Sequence, residues 1–372
     1  MRRFVVRVWA LSAKEVRHVL RDPRSLYLAL GMPVVMLLLF GYGVSFDLDR
    51  LPVAFVDHDH SAASRALRRR FTAGDDFVDV GELDADGAQA ALVAGDAMAV
   101  IVIERGFERH RARGERATVQ VLVDGSEANG ATQLRAKAER MLALLGVDGA
   151  IRASGAGAPL EARTWTRFNP EGKSAVFLVP GITAYVLAIV AVLLTALTVA
   201  REWERGSMAQ LFATPVGRLE IIVGKLLPYL AIGTLAVLLV LAVGMWVFDV
   251  PFRGSPAALA LLSFLFLAGM LGQGLLISVI TRSQMVATQA AALSSMLPSM
   301  LLSGFVFPIE NMPQVLQWIT VVIPARYFVE GLRGVLLRGN GLAELWPELL
   351  ALSVFALVAL GVSTARFQRT IA

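Results

Sequence analysis

The feature that most constrains this chain is a set of apolar blocks almost free of charge. Residues 26–46, 174–200, 226–248, 256–280, 285–307 and 345–365 contain no Asp, Glu, Lys or Arg apart from Glu348 in the last. Each is about 20 residues or longer, the length a helix needs to cross a bilayer core. Charged residues make up only 17% of the chain, and most of them fall between Asp47 and Lys173. These facts predict an α-helical polytopic membrane protein. It would have six transmembrane helices, with an α/β extracytoplasmic domain inserted between the first and second spans.

Residues 1–25 set Phe4, Val5, Val8, Trp9, Val16, Val19 and Leu20 against Arg2, Arg3, Arg7, Lys14, Arg17 and Arg21. An Arg-rich amphipathic helix of this kind lies in the membrane interface. Asp22-Pro23 then stops it and offers a cap for the next helix. A cleaved signal peptide does not fit, because the basic region is too long and no small-residue cleavage site follows. Residues 26–46 are the first span.

Residues 47–173 change character. Short apolar runs at 52–57, 77–80, 98–103 and 118–124 alternate with helix-like stretches at 61–73, 84–94 and 127–145. That alternation predicts a small α/β domain, with Gly- and Ala-rich residues 153–159 as a linker back to the membrane. The second span is 174–200, a polar loop occupies 201–225, and the third to fifth spans fall within 226–307. Residues 308–344 are too punctuated by Pro313 and Pro324 for a span, and predict two short amphipathic helices dipping into the outer interface. Span six is 345–365, followed by a tail at 366–372.

Six spans put both termini on one side, together with Arg201, Arg205, Arg218, Lys225, Arg282, Arg366 and Arg369. The positive-inside rule makes that side cytoplasmic. Arg326, Arg333 and Arg338 fall on the other side and count against the assignment. The net charge of +5 bears on topology and carries no nucleic-acid-reading motif with it. Cysteine is absent, which excludes disulfides and thiolate metal sites.

Chemistry is sparse. Gly172-Lys173-Ser174 imitates the end of a phosphate-binding loop, but Arg167 stands where its first glycine belongs. Asp57, His58, Asp59 and His60 follow a strand and precede a helix, where they serve as turn and cap residues; no metal site is expected. The spans lack the central ionisable groups that proton- or ion-coupled transporters use as relays. Gln273 and Gln289 are candidates for a substrate path, or equally for polar contacts between helices. Ala287, Ala291, Ser295 and Ser299 recur every fourth residue, a small-residue face for helix packing within the chain or for a dimer.

The polar island at 201–225, REWERGSMAQLFATPVGRLEIIVGK, stands between two uncharged blocks. Glu202 and Glu204 come early, Gly206 and Ser207 follow, and Met208, Leu211 and Phe212 give an apolar face before Thr214-Pro215 ends the run. Such a compact, charged, helix-capable loop reads as a docking surface, with a plain solvated hairpin as the alternative. The acidic pair would face basic groups of a partner.

With these residues the chain resembles the permease subunit of bacterial ABC exporters of the type-2 membrane family, in the branch with a large extracytoplasmic domain that includes multidrug efflux permeases. The resemblance runs nearly end to end. It rests on E-x-E-x-G-[TS], L-x-x-[TS]-P and G-K at Glu202, Glu204, Gly206, Ser207, Leu211, Thr214, Pro215, Gly224 and Lys225. FNPE at 168–171, VPG at 179–181, SGFVFPIENMP at 303–313 and PARYFVEGLRG at 324–334 add to it. Ser207 departs mildly from the commoner Thr.

The resemblance implies an inner-membrane permease working as a homodimer or with a related permease, and docked on a separate ATPase that uses ATP and Mg. It also implies that residues 1–25 form an elbow helix and 201–215 a coupling helix, with a periplasmic adaptor a further partner. No nucleotide or other cofactor is expected on this chain, so it is not expected to be an enzyme. The implied activity is export of an amphipathic or hydrophobic, drug-like or lipid-like substrate. A membrane-anchored sensor, binding ligand through its external domain, is the alternative; it would need an internal output segment, and the sequence offers none.

Overall fold

The computed structural model describes residues 2–43, 50–74, 76–113, 115, 117–124, 134–142, 174–208 and 216–367. The chain divides into two compact units, Ser45–Thr166 and the remainder, Met1–Val44 with Arg167–Ala372. The larger unit begins with α1 (Arg2–Leu20), stopped at Asp22-Pro23 as the sequence predicts. Three consecutive helical pieces follow: α2 (Pro23–Leu26), a π-turn at Tyr27–Gly31 and α3 (Met32–Gly43).

The Ser45–Thr166 unit is built on strands β1 (Leu51–Asp57), β2 (Phe77–Glu82), β3 (Ala99–Ile103) and β4 (Val119–Val123). Their order is β2-β1-β3-β4, parallel except for the antiparallel β3–β4 pair. Helices α4 (Ala62–Phe71) and α5 (Ala85–Ala94) make the crossovers, and α6 (Phe107–Ala112) and α7 (134–142) complete the unit. Because side chains alternate along β1, its residues feed two cores. Leu51, Val53 and Phe55 pack with Leu67, Phe71, Phe107 and Leu134 on one face. Ala54 and Val56 pack with Ala88 and Ala91 of α5 on the other. The mixed sheet is therefore covered by helices on both faces, which explains why β1 reads as an almost continuous apolar run.

In the larger unit, α8 (Ser174–Glu204) leads to α9 (Arg218–Val247), α10 (Pro256–Thr281) and α11 (Gln284–Leu301). Next come α12 (Gln314–Thr320), α13 (Pro324–Arg333) with a π-turn at Gly334–Arg338, and α14 (Trp346–Arg366). Helix α8 is the centre of the bundle: most of its apolar stretch is buried, whereas most of that of α14 is not. Close approach makes this possible. A Cβ on Gly274 of α10 would stand 2.2 Å from Thr195 Oγ1 of α8, whose hydroxyl donates to Leu271 O at 2.9 Å. Ser278 Oγ accepts from Val199 N and Ala200 N at 3.1 and 2.9 Å. Hydroxyls thus bond across the helix contact.

Among the described residues four helices are long and apolar enough to cross a membrane: α8, α9, α10 and α14. The six expected spans included two more, at 26–46 and 285–307. Tyr27–Gly43 falls short in length within the described residues, and in α11 the residues Gln284, Thr288, Gln289, Ser294, Ser295 and Ser299 dilute the apolar character. Helices α12 and α13, extended by the π-turn to Arg338, form a pair bent by 83°, either one broken span or a re-entrant loop. The second span also runs further than 174–200. Nothing breaks the helix until Gly206, whose φ of +70° lies in the left-handed region that ends helices.

Candidate functional site: a buried ion-pair junction

The end of α8 carries Arg201, Glu202 and Glu204 to the starts of α9 and α11, and α1 lies alongside. Within α1, Val8, Ser12, Glu15 and Val19 are buried at helical spacing and face α9. Contact is close at Gly224, where a Cβ would come 2.8 Å from Leu11 Cβ, and Ser12 Oγ donates to Gly224 O at 2.9 Å. One residue on, Lys225 is 3% exposed, and its Nζ lies 2.9 Å from Glu15 Oε1 and 2.9 Å from Glu202 Oε2. Lys14 Nζ reaches the other oxygen of Glu202 at 3.0 Å. An unpaired ammonium at this depth would be prohibitive, so the two carboxylates are conditions for Lys225 being there at all.

Around this centre the other polar groups tie neighbouring helices together. Glu220 accepts from Gly217 N at 2.6 Å, capping α9, and pairs with Arg7 of α1 at 3.3 Å. Glu204 accepts from Gln284 N at 2.7 Å and from the Gln284 side-chain amide, at the first residue of α11. Arg282 stacks its guanidinium 4.4 Å above the Trp203 ring. Met208, 1% exposed, is fixed among Val199, Ile221, Ile222, Leu275 and Phe367. Ser207 Oγ donates to Glu202 O at 3.3 Å.

Glu202 and Glu204 stand in the last turn of α8, where Glu202 pairs with buried Lys225 and the exposed Glu204 accepts from Gln284 at the start of α11. Leu211, Phe212, Thr214 and Pro215 lie outside the described residues. What the structure brings together is a junction of α1, α8, α9 and α11 immediately before that stretch. Lys14 and Glu15 were missed by sequence reasoning. The signal was present: Glu15 falls on the same helical face as Val8, Ser12 and Val19, where an unpaired acid has no place.

The other predicted residues separate. Ala287, Ala291, Ser295 and Ser299 are buried on α11, which packs on α8, so this face is used within the chain. Gln289 is exposed, while Gln273 donates to Ser294 Oγ at 3.2 Å. Farther along the chain three resemblance motifs meet. Gly181 of VPG lies against the Phe305 ring, where a Cβ would stand 2.0 Å away. Arg333 of PARYFVEGLRG donates to Gly304 O at 3.2 Å and covers the Phe177 ring at 4.2 Å. Arg338 pairs with Glu330 at 2.7 Å and Arg326 donates to Thr320 Oγ1 at 2.5 Å, so these outlying cations have partners inside the chain. Lys173 and residues 168–171 lie outside the described residues.

In the smaller unit, Asp57 accepts from Asp59 N, His60 N and Ser64 Oγ. Asp59 accepts from Gly106 N and Glu108 N at 2.7 and 3.0 Å. With Ser61 the largest contributor, these bonds hold the Asp59 carboxyl below its ordinary value. Asp57, His60 and Glu82 do approach one another within 4.8 Å. Arg68 already occupies the other oxygen of Glu82, at 2.8 Å.

Comparison with known proteins agrees with the layout. Residues 24–365 match the sequence profile of the ABC-2 family transporter proteins. The Escherichia coli (strain K12) protein named "Probable multidrug ABC transporter permease YbhS" is 37% identical over 370 residues, covering 98% of this chain and 97% of its own. "Probable multidrug ABC transporter permease YbhR" of the same organism is 28% identical over 98% of this chain and 99% of its own. The "Linearmycin resistance permease protein LnrN" of Bacillus subtilis (strain 168) is 24% identical over 91% of this chain and 93% of its own. A near full-length match to the profile, carried by a bundle of apolar helices, makes this chain a multi-pass inner-membrane permease that belongs to the ABC-2 transporter family.

Proposed function

We propose that this permease is the membrane subunit of an ATP-driven exporter that moves an amphipathic or hydrophobic substrate, drug-like or lipid-like, out of the cytoplasm or the inner leaflet. Relatives named for multidrug transport favour that cargo. A separate ATPase subunit binds ATP with Mg; this chain holds no nucleotide and does no hydrolysis. Two permeases work together, six spans each, with both termini cytoplasmic, the Ser45–Thr166 unit outside and a periplasmic adaptor available to receive substrate.

The junction at Lys225 is the observation that carries this reading. The segment at 209–215 receives the ATPase. Whatever moves it must also move Glu202, Glu204 and Met208, and through them α1, α9 and α11. Glu202 therefore transmits a motion rather than docking the partner.

Co-reconstitution of the chain with its ATPase in proteoliposomes tests the reading, with the amphipathic dye Hoechst 33342 and long-chain fluorescent lipid as probes. ATP-dependent movement of either probe, absent with either subunit alone, is the expected result. Nucleotide hydrolysis by this chain without the ATPase would overturn it.

A further inference from the structure

We infer that the cavity beside the junction binds the phosphodiester headgroup of a membrane lipid. The cavity has a volume of about 360 Å³ and lies between α1, the π-turn, α8 and α9. That is enough room for a headgroup and the first carbons of its chains. Its lining is mixed: the cations Lys14, Arg201, Arg205 and Lys225 and the ring of His18 share it with the apolar side chains Val19, Leu28, Leu194 and Leu197. A lining that is part cationic and part apolar suits an amphiphile better than a free ion or a hydrocarbon.

Charge decides which amphiphile. Glu15 and Glu202 line the same cavity and are held by Lys225 and Lys14. Arg201 has Asp22 at 3.9 Å and His18 Nε2 at 3.1 Å. Four permanent cations line the cavity with two carboxylates, and Asp22 outside the lining neighbours Arg201, which leaves one cation over. Arg205 is that cation: among the described residues it has no ion-pair partner, and it is exposed at the cavity. A phosphodiester carries one negative charge and balances it. A zwitterionic headgroup would bring a second cation to a wall that already has an excess.

Placement supports a lipid rather than a soluble phosphate. Val5, Trp9, Val16 and Leu20 remain exposed on α1 at 63%, 75%, 39% and 63%, an apolar stripe for lying in a membrane interface.

Binding needs no ATPase, so this inference can fail while the exporter reading stands, and the reverse. The test is native mass spectrometry of the full chain in neutral detergent. It compares dioctanoyl phosphatidylglycerol, dioctanoyl phosphatidylcholine and inorganic phosphate. Phosphatidylglycerol is expected to bind at least fivefold more tightly than phosphatidylcholine, and phosphate at equal concentration should not compete. Arg205→Gln should weaken the anionic lipid about fivefold, the loss of one surface cation. Leu197→Trp, which fills the apolar wall without touching a charge, should weaken both lipids together. Equal affinity for the two lipids, competition by phosphate at equal concentration, or unchanged binding in both variants would overturn the inference.

Discussion

Lys225 Nζ and Glu15 Oε1 stand 2.9 Å apart, joining the last residue of the 201–225 stretch, in α9, to the N-terminal helix across 210 residues of sequence. Both side chains are almost fully buried, at 3% and 8% exposure. The pair fixes α1 to α9, and Glu202 brings α8 to the same ammonium.

Removing the ammonium should therefore hurt more than removing all three charges. Lys225→Met leaves Glu15 and Glu202 buried with only Lys14 for company, and should cost about 3–5 kcal/mol of stability. The triple replacement Lys225→Met, Glu15→Gln, Glu202→Gln should recover most of that loss. Thermal unfolding in detergent followed by intrinsic tryptophan fluorescence reads both. A triple variant less stable than the single would contradict the account.

At the Gly181–Phe305 contact the prediction concerns shape alone. Gly181→Ala drives a methyl against the edge of the Phe305 ring, 2.0 Å from its nearest carbon, and should destabilise the chain by about 1–3 kcal/mol. Adding Phe305→Ala should make the Gly181→Ala change nearly neutral in a double-mutant cycle. Additive losses would show that the two do not touch.

Asp59 gives the smaller unit an acid-sensitive turn. Its carboxyl titrates below the ordinary value because Ser61 and the backbone amides of Glu108 and Gly106 favour the charged form. A depressed folded-state value stabilises above the unfolded pKa, and the benefit fades as pH falls through the folded value, below about 4. Protection of the amides at the start of α6, corrected for their intrinsic exchange rates, should fall in that window. Asp59→Asn should remove this fall, and protection that stays constant in the unmodified chain would refute it.

Much of this architecture was legible, and the limits have physical causes. The nearly uncharged blocks announced α8, α9, α10 and α14, because lipid tolerates few charges over that length. The alternation of Leu51–Asp57 with amphipathic stretches announced the mixed sheet. Hidden from view was the use of charge. Glu202 on the sequence is an acid in a polar loop, and only the fold shows that Lys225, 23 residues on, is buried against it. Long-range ion pairs leave no local pattern, whereas helical periodicity does. Short helix α6 was missed for a related reason: its N-terminus is capped by Asp59, 49 residues earlier than Glu108.

Sidedness can be read directly, since the chain has no cysteine of its own. Asp86 is exposed on α5, so Asp86→Cys supplies one reactive thiol on the Ser45–Thr166 unit. In intact cells with a permeable outer membrane, an impermeant maleimide should label it. Labelling that begins only after the inner membrane is opened would place the unit in the cytoplasm.

The central claim is a division of labour: residues 209–215 hold the ATPase, and the Glu202–Lys225–Glu15 junction passes its motion to the helices. The decisive measurement is the amount of ATPase that co-purifies with the permease, compared between two variants that reach the membrane at equal levels. Leu211→Glu with Phe212→Glu should lose the ATPase, while Glu202→Gln should retain it and lose only ATP-driven probe movement. If Glu202→Gln sheds the ATPase while the Leu211/Phe212 variant keeps it, the acidic residue is the dock and the account is wrong.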